Sequence, residues 1–403
     1  MKILAIDTSC DDTSIAVVER KNSQIKVISN VVSSQIQIHA PYGGVYPMLA
    51  KREHQNNLAL TTEKALKRSG LARLNFQFSI FNFQSNPKLK TLKKLLIRDE
   101  LLLENTEKLL LKYKKPKVDA IAITNTPGLE PCLWQGVNFA KALSFWWNLP
   151  IIPVNHIKAH LAANWLSKPP SGFDGRSHSV AFPAIGLVAS GGHTELIYMP
   201  KQGVYKIVGS TRDDAAGECF DKTARILGLP YPGGPAIAAL AAKKESGIKN
   251  QELRITLPRP MLSSKDFDFS FSGLKTAVLY NFQSQKKDTQ ESESYKIAMA
   301  HEIQQAIIDV LISKTLKATN HFKVKSIITG GGVMANKELR KQFKLKIKNL
   351  ELKIPFFVPE KSLCMDNAAM VGAEALLNWS SKDTHSISKF SWKNIQANGN
   401  LDI

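Results

Sequence analysis

The chain has 403 residues, too many for one small core, and its 43% hydrophobic content excludes a disordered polymer. Its formal charge of +20, from 54 Lys+Arg against 34 Asp+Glu, points to a polyanionic partner, nucleic acid or an anionic membrane surface, with solubility alone as the plain alternative. No apolar run approaches the ~20 residues needed to cross a bilayer, and four scattered cysteines (Cys10, Cys132, Cys219, Cys364) without a CxxC pair suit a reducing cytoplasm and argue against structural zinc.

Residues 2–7 (KILAID) and 14–19 (SIAVVE) predict two strands around the polar turn Thr8–Thr13, a hairpin that opens a sheet. A strand from the second residue leaves no expectation of a signal or transit peptide. Leu58, Leu60, Ala65 and Leu66 predict a helix over His54–Ser69. VDAIAIT (118–124) is a buried strand by length and β-branching, and a helix over Val137–Trp147 follows it. A second round then begins. AIGLVASGGHTELIYM repeats strand, glycine turn, strand, and KSIITGGGVMANKELRKQF gives strand, glycine turn, helix. The polar hairpin turn at Thr8–Thr13 recurs at Ser190–Thr194, a faint repeat that predicts two similar α/β lobes facing each other.

Two segments stand outside that scheme. Residues 71–117 interrupt the step from helix to strand, first with the aromatic, aperiodic LARLNFQFSIFNFQSNP. The remainder sets Leu89, Leu92, Leu95, Leu96, Leu102, Leu103, Leu109 and Leu110 on one helical stripe. The insertion holds eleven Lys+Arg and four Asp+Glu, an excess of seven positive charges. Such a basic amphipathic segment packs on its own protein or a partner, contacts nucleic acid, or lies on a membrane. Residues 380–403 are polar and short of periodic apolar positions, and read as a tail.

Chemistry concentrates in a few places. His156 and His160 sit four apart in PVNHIKAHLAANWL, and a helix there projects both imidazoles from one face. That geometry can chelate a divalent metal; the plain alternative is two polar positions on a half-exposed helix. The turn SCDDTS, with Ser9, Asp11, Asp12 and Thr13, can hold a metal–phosphate group, although Asp and Ser also favour any β-turn. Ser190, Gly191 and Gly192 let backbone approach an anion closely, or simply make a tight hairpin, and His193 beside them is a ligand, orients a neighbour or is simply hydrogen-bonded. Gly330–Gly332 precede a basic helix from Asn336, a natural anion or nucleotide site that lacks both the P-loop and the GxGxxG spacing. YPGGPAIAALA adds Gly233 and Gly234 before another helix. Asp221 either faces a cleft and binds a sugar hydroxyl or pairs with Lys222 or Arg225. Asp366 is a good N-cap by type and equally a hard third ligand for a His–His site.

The segments IDTSCDDTS, YGGVYPMLAKREH, PGL, NHIKAH, VASGGHTEL, DDAAGECFDKTARILGLPYPGGP, PRPM, DFSFSGLKT, TGGGVMAN and MDNAAM occur in that order. Together they closely resemble the tRNA N6-adenosine threonylcarbamoyltransferase family, once described as glycoproteases, from residue 2 to about 378 apart from 71–117. The resemblance implies an α/β fold of the actin/Hsp70/sugar-kinase (ASKHA) type, with duplicated RNase H-like lobes closing on a nucleotide. It implies an N-terminal lobe over 1–154 carrying the 71–117 insertion. A C-terminal lobe over 155–365 would carry the metal and adenylate sites, and 366–379 would be a helix returning to the first lobe. The implied activity is transfer of threonylcarbamoyl from threonylcarbamoyl-AMP to the exocyclic amine of the adenosine beside the anticodon (position 37) in tRNAs reading ANN codons.

By the same resemblance His156, His160 and Asp366 would hold a divalent metal, Fe²⁺ or else Zn²⁺. Val188, Ala189, Ser190, Gly191, Gly192, Asp221, Gly234 and Asn336 would bind the adenylate, with Asp11 and Asp12 near the reacting group and either one a candidate base. Implied partners are tRNA, a paralogous subunit and a small ATPase, in the cytoplasm. Departures from the family pattern are Asn155 for a first histidine, Met48 for an acidic residue, Thr126 for the first glycine of GPGL, Glu130-Pro131 for small residues, and Asp12 for glutamate. Competing readings are an ATPase or kinase of the same fold and a non-catalytic tRNA-binding scaffold. A metalloprotease fails, because no glutamate stands beside His156 to act as base.

Overall fold

The computed structural model describes residues 1–22, 24–75, 84, 86–166, 180–245, 253–352, 354–378 and 391–400. The chain divides into two compact units: Met1–Gln37, Val45–Lys168 and Asp366–Ile403 form the first, Ile38–Gly44 and Pro169–Met365 the second. The histidine-bearing segment therefore belongs to the first unit, not beyond a boundary at 154/155. Its helix packs on the strand before it and on the helix Ala368–Asn378, which ties it to that body.

In the first unit β1 (Lys2–Asp7) pairs antiparallel with β2 (Thr13–Lys21), which pairs with β3 (Gln24–Ser33); β4 (Ala120–Thr126) and β5 (Ile151–Asn155) add in parallel on the other side. The order is β3-β2-β1-β4-β5. Successive strand residues face opposite sides. Leu4 and Ile6 accordingly enter a core with Leu58, Leu133 and Val137, while Ala5 and Val18 meet Gly372 on the other face. Both faces are covered, so β1 reads as an unbroken apolar run. Because β1, β4 and β5 run parallel, their C-terminal ends share one sheet edge, and Asp7, the turn after it, Pro127-Gly128 and His156 are delivered together.

Helices α1 (Pro47–Arg68), α2 (Lys88–Leu95), α3 (Glu100–Lys112), α4 (Glu130–Trp147) and α5 (His156–Ala162) complete this part of the unit. The insertion is two helices, not one stripe. Leu89, Leu92 and Leu96, then Leu102, Leu109 and Leu110, are buried in the first unit's core. Between them stands Asp99, where a continuous stripe would need an apolar residue. Its buried carboxylate accepts from Gln55 at 3.0 Å and from Gln135 and Asn138 at 3.3 Å, and Lys51 lies 3.6 Å away. Most of the aromatic run 71–87 lies outside the described residues.

The second unit repeats the plan. β6 (Ala184–Ala189), β7 (Thr194–Lys201) and β8 (Val204–Ser210) are antiparallel, β9 (Ser326–Gly330) and β10 (Phe356–Phe357) add in parallel, and the order is β8-β7-β6-β9-β10. α6 (Ala216–Ile226), α7 (Gly233–Glu245), α8 (Ser272–Ser284), α9 (Glu293–His321) and α10 (Lys337–Asn349) surround it. Two identical strand orders explain the repeat that the two polar hairpin turns suggested.

The chain then returns to the first unit as α11 (Ala368–Asn378). Residues 391–400 are docked rather than a free polar tail. Trp392 meets Phe145 edge-on at 5.5 Å, Ile395 and Ala397 are buried, and Gly399 accepts from the Gly128 N–H at 3.2 Å. Three spaced apolar side chains suffice to anchor a short irregular segment, and they carry no period to read. The rest of the stretch called a tail, 379–390 and 401–403, lies outside the described residues. Among the described residues no helix is long and apolar enough to cross a membrane.

Candidate functional site

Asn155 ends β5 and caps α5, its side-chain oxygen accepting from the Lys158 N–H at 3.1 Å. The departure from histidine at this position thus supplies an N-cap, and α5 begins in the register that turns His156 and His160 to one side. The two rings lie 4.6 Å apart at 72°. His156 Nε2 is 3.5 Å and His160 Nε2 3.3 Å from Asp366 Oδ1. Asp366 does not cap α11. Asn367 does, accepting from the Met370 N–H at 3.2 Å, and the Ala368 N–H donates to Ser14 Oγ at 2.8 Å. Those bonds fix the start of α11 and present the Asp366 carboxylate to both imidazoles.

His160 is fully buried, and neither of its ring nitrogens makes a hydrogen bond. A buried imidazole in that condition costs stability unless something else coordinates it. Burial, the largest influence, lowers the pKa of His156, with His160 adding to the effect and Asp366 opposing it, so its neutral, ligand-competent form is favoured. Two imidazoles and one carboxylate, their ligand atoms all within 4.8 Å of one another, fit a divalent cation.

Asp7 is a residue sequence reasoning passed over. It is buried; Oδ1 accepts from the Ser9 N–H at 3.2 Å, and Oδ2, without a hydrogen-bond partner, lies 4.0 Å from His156 Nδ1. Burial chiefly, and Asp366 secondarily, raise its pKa against the opposing pull of His156. His54 was also missed. Fully buried, it spans the SCDDTS turn, with Nδ1 2.7 Å from Thr13 Oγ1 and Nε2 2.9 Å from the Cys10 carbonyl. A carbonyl only accepts, so Nε2 carries the proton and Nδ1 accepts from Thr13. The signal available was a lone histidine on the apolar face of α1, beside Leu58.

Asp12, in the same turn, is pushed up to about 7, by burial first and then by Asp11 and Asp366. The sign follows. A raised carboxyl contributes stability present below about pH 4 and lost as pH rises through about 7. In chelator-treated protein, Asp12→Asn is therefore expected to gain stability over the parent between about pH 4 and pH 8, by up to about 4 kcal/mol. Denaturant titrations at the two pH values measure it; an equal difference at both would contradict the assignment.

The remaining predicted residues lie in the second unit. Ser190 and His193 close the β6–β7 turn, with Ser190 N–H to His193 O at 2.8 Å and His193 N–H to Ser190 Oγ at 3.1 Å. Gly191 and Gly192 have no atom within 4 Å of where a Cβ would stand, so their backbone is open to a ligand. The Gly217 N–H at the start of α6 donates to Ser190 O at 3.0 Å, and Val188 pairs with Gly330. Gly331, at φ +92°, lies so close to Ala189 O that a Cβ would clash. Gly331→Ala is expected to destabilise the protein by roughly 2–4 kcal/mol, from strain and clash together, read as a lower denaturation midpoint. Asp221 accepts from the Gly233 N–H at 2.7 Å, holding the turn before Gly234; Lys222 instead pairs with Asp214 at 2.6 Å and Glu218 at 3.0 Å. Asn336 caps α10 through the Glu338 and Leu339 N–H groups at 2.9 and 3.0 Å and donates to Gln304 at 2.8 Å. Glycine turns and α6 thus converge at one sheet edge of this unit. The His–Asp cluster stands at the corresponding edge of the other.

Duplicated sheets of order 3-2-1-4-5, each with its polar turns at the C-terminal strand edge, define a two-unit α/β protein of the actin/Hsp70/sugar-kinase class. The family model described as tRNA N6-adenosine threonylcarbamoyltransferase matches residues 26–76 and 100–373. Proteins of that name from Geobacillus thermodenitrificans (strain NG80-2) and Bacillus subtilis (strain 168) are 39% and 38% identical, over 94% and 93% of this chain and 92% and 89% of their own lengths. YeaZ from Pseudomonas aeruginosa, a solved structure, aligns with a TM-score of 0.26 and 14% identity over 52% of this chain and 67% of its own. The chain belongs to the tRNA N6-adenosine threonylcarbamoyltransferase family, and it is an acyltransferase.

Proposed function

We propose that this protein transfers the threonylcarbamoyl group of threonylcarbamoyl-AMP to N6 of the adenosine at position 37 in tRNAs reading ANN codons. The match to one acyltransferase family over residues 26–76 and 100–373 carries this reading, and the His156–His160–Asp366 cluster inside the matched stretch supports it. In the reaction the adenine N6 bonds to the carbamoyl carbon as that carbon's bond to the phosphate oxygen breaks; AMP leaves and N6 gives up a proton. An exocyclic adenine amine is a poor nucleophile, so holding it against the carbonyl supplies much of the acceleration.

His156, His160 and Asp366 would hold one divalent ion, Fe²⁺ in our reading and Zn²⁺ as the alternative. When bound, the ion would supply Lewis-acid polarisation of the carbamoyl carbonyl. Val188, Ala189, Ser190, Gly191 and Gly192 would receive the adenylate, whose phosphate the open glycine backbone can approach. Asp221, Gly234 and Asn336 would bind the adenylate as well; Asp221 accepts from the Gly233 N–H and Asn336 caps α10, which fixes both positions for that role. Asp12, with a pKa of about 7, suits the role of proton acceptor, and Asp11 lies beside it. A cytoplasmic setting, a paralogous partner subunit and a small ATPase complete the proposal. Incubation with threonylcarbamoyl-AMP and unmodified tRNA, then nucleoside mass spectrometry, is expected to reveal threonylcarbamoyladenosine. Phosphoryl transfer to a small acceptor with no modified tRNA would refute the reading.

A further inference from the structure

The stretch 77–99, which holds α2, falls outside the family match. α2 buries Leu89 and Leu92 in the first unit's core, and the turn after it buries Leu96. Its other side exposes Lys90, Lys93, Lys94 and Arg98, and no acidic residue is interspersed between Lys88 and Arg98. None of these four cations has an ion-pair partner among the described residues. Lys88 differs: it donates to the Trp146 carbonyl at 3.1 Å and lies over the Phe145 ring. Lys90 has Lys93 at i+3 and Lys94 at i+4, each a neighbour on the helix surface with Cβ atoms about 5–6 Å away, where like charges repel and weaken the helix unless a counter-charge arrives.

We propose that this face of α2, with the turn bearing Arg98, is an RNA-docking surface that grips the phosphate backbone of the tRNA substrate. The inference rests on the tRNA-modifying reading above and deepens it. Charge complementarity selects the occupant: four exposed, unpaired cations within nine residues, on a protein carrying +20 overall. A bilayer is a poorer fit, because the helix has already spent its apolar side on the core and Ile97 is the one large exposed hydrophobic among 86–100. Phosphate contacts position a nucleic acid without reading its sequence, so this surface would raise affinity for tRNA in general.

The test replaces the four cations in the full-length protein, Lys90→Gln, Lys93→Gln, Lys94→Gln and Arg98→Gln together, and measures tRNA binding by fluorescence anisotropy across salt concentrations. All four side chains are exposed, so the fold is expected to survive, which circular dichroism checks. The expected result is at least a tenfold loss of affinity at about 0.1 M salt and a salt slope shallower by about three. In the transfer assay KM for tRNA should rise while kcat holds. Unchanged affinity and slope, with the parent still binding tRNA, overturn the surface and leave the family reading standing. Failure of the parent to bind tRNA at low salt overturns both. Loss of binding to anionic phosphatidylserine vesicles with tRNA affinity unchanged would show a membrane surface instead.

Discussion

Replacing His160 by alanine is expected to abolish stoichiometric metal binding, and with it threonylcarbamoyl transfer. The imidazole is fully buried, its Nε2 stands 3.3 Å from Asp366 Oδ1, and neither nitrogen is otherwise hydrogen-bonded. A structural divalent site is worth on the order of 10 kcal/mol. With three protein ligands sharing it, losing one removes roughly 3 kcal/mol, more than a hundredfold in affinity. His156→Ala should behave alike. Metal content by plasma mass spectrometry and affinity by chelator competition provide the readouts. The metal-free fold should respond differently: removing an unsatisfied buried imidazole exchanges one cost for a small cavity, leaving the chelated protein's stability within about 1–2 kcal/mol of the parent. A variant that keeps both metal and activity would break the link between this cluster and the reaction.

How much of this was legible beforehand follows from where the physics is local. β1, β2 and the helix at His156 could be read because alternation and i,i+4 spacing are properties of contiguous residues. The duplicated sheet showed itself through the two polar hairpin turns, and the ordered motifs carried the family. β3 was not read: Gln24–Ser33 alternates weakly, with Lys26 and Asn30 among its apolar residues, and takes its place by pairing with β2. The break at Asp99 was hidden because its meaning lies in Gln55, Gln135 and Asn138, which are distant in sequence. The docking of residues 391–400 depends on Phe145 and Gly128 in the same way. Asp366 and Asn367 are both N-cap types. Which one caps and which faces the histidines is settled by the approach of Ser14 to Ala368.

Asp7→Asn is expected to move two readouts in opposite directions. His156 has two nitrogens with distinct surroundings: Nε2 near Asp366, and Nδ1 4.0 Å from the Asp7 carboxylate. A carboxylate behind a ligating histidine favours the tautomer with the proton on the rear nitrogen and raises the ligand's basicity; a hydrogen-bonded one typically accounts for roughly 10–100-fold in metal affinity. At 4.0 Å the charge acts without that bond, so the low end, about 10-fold, is expected here. Yet the same carboxyl is buried, with one oxygen unpartnered, and its pKa is raised chiefly by that burial. A raised pKa means a contribution to stability that is present at low pH and lost as pH rises through the folded-state value. Asparagine cannot ionise, so at neutral pH the chelated variant should be more stable than the chelated parent while binding Fe²⁺ or Zn²⁺ about 10-fold less tightly. A residue that served packing alone would weaken folding and leave metal affinity untouched. Finding that pattern, or equal affinity in both proteins, would remove Asp7 from the positioning of His156 and leave the cluster as His156, His160 and Asp366 without it.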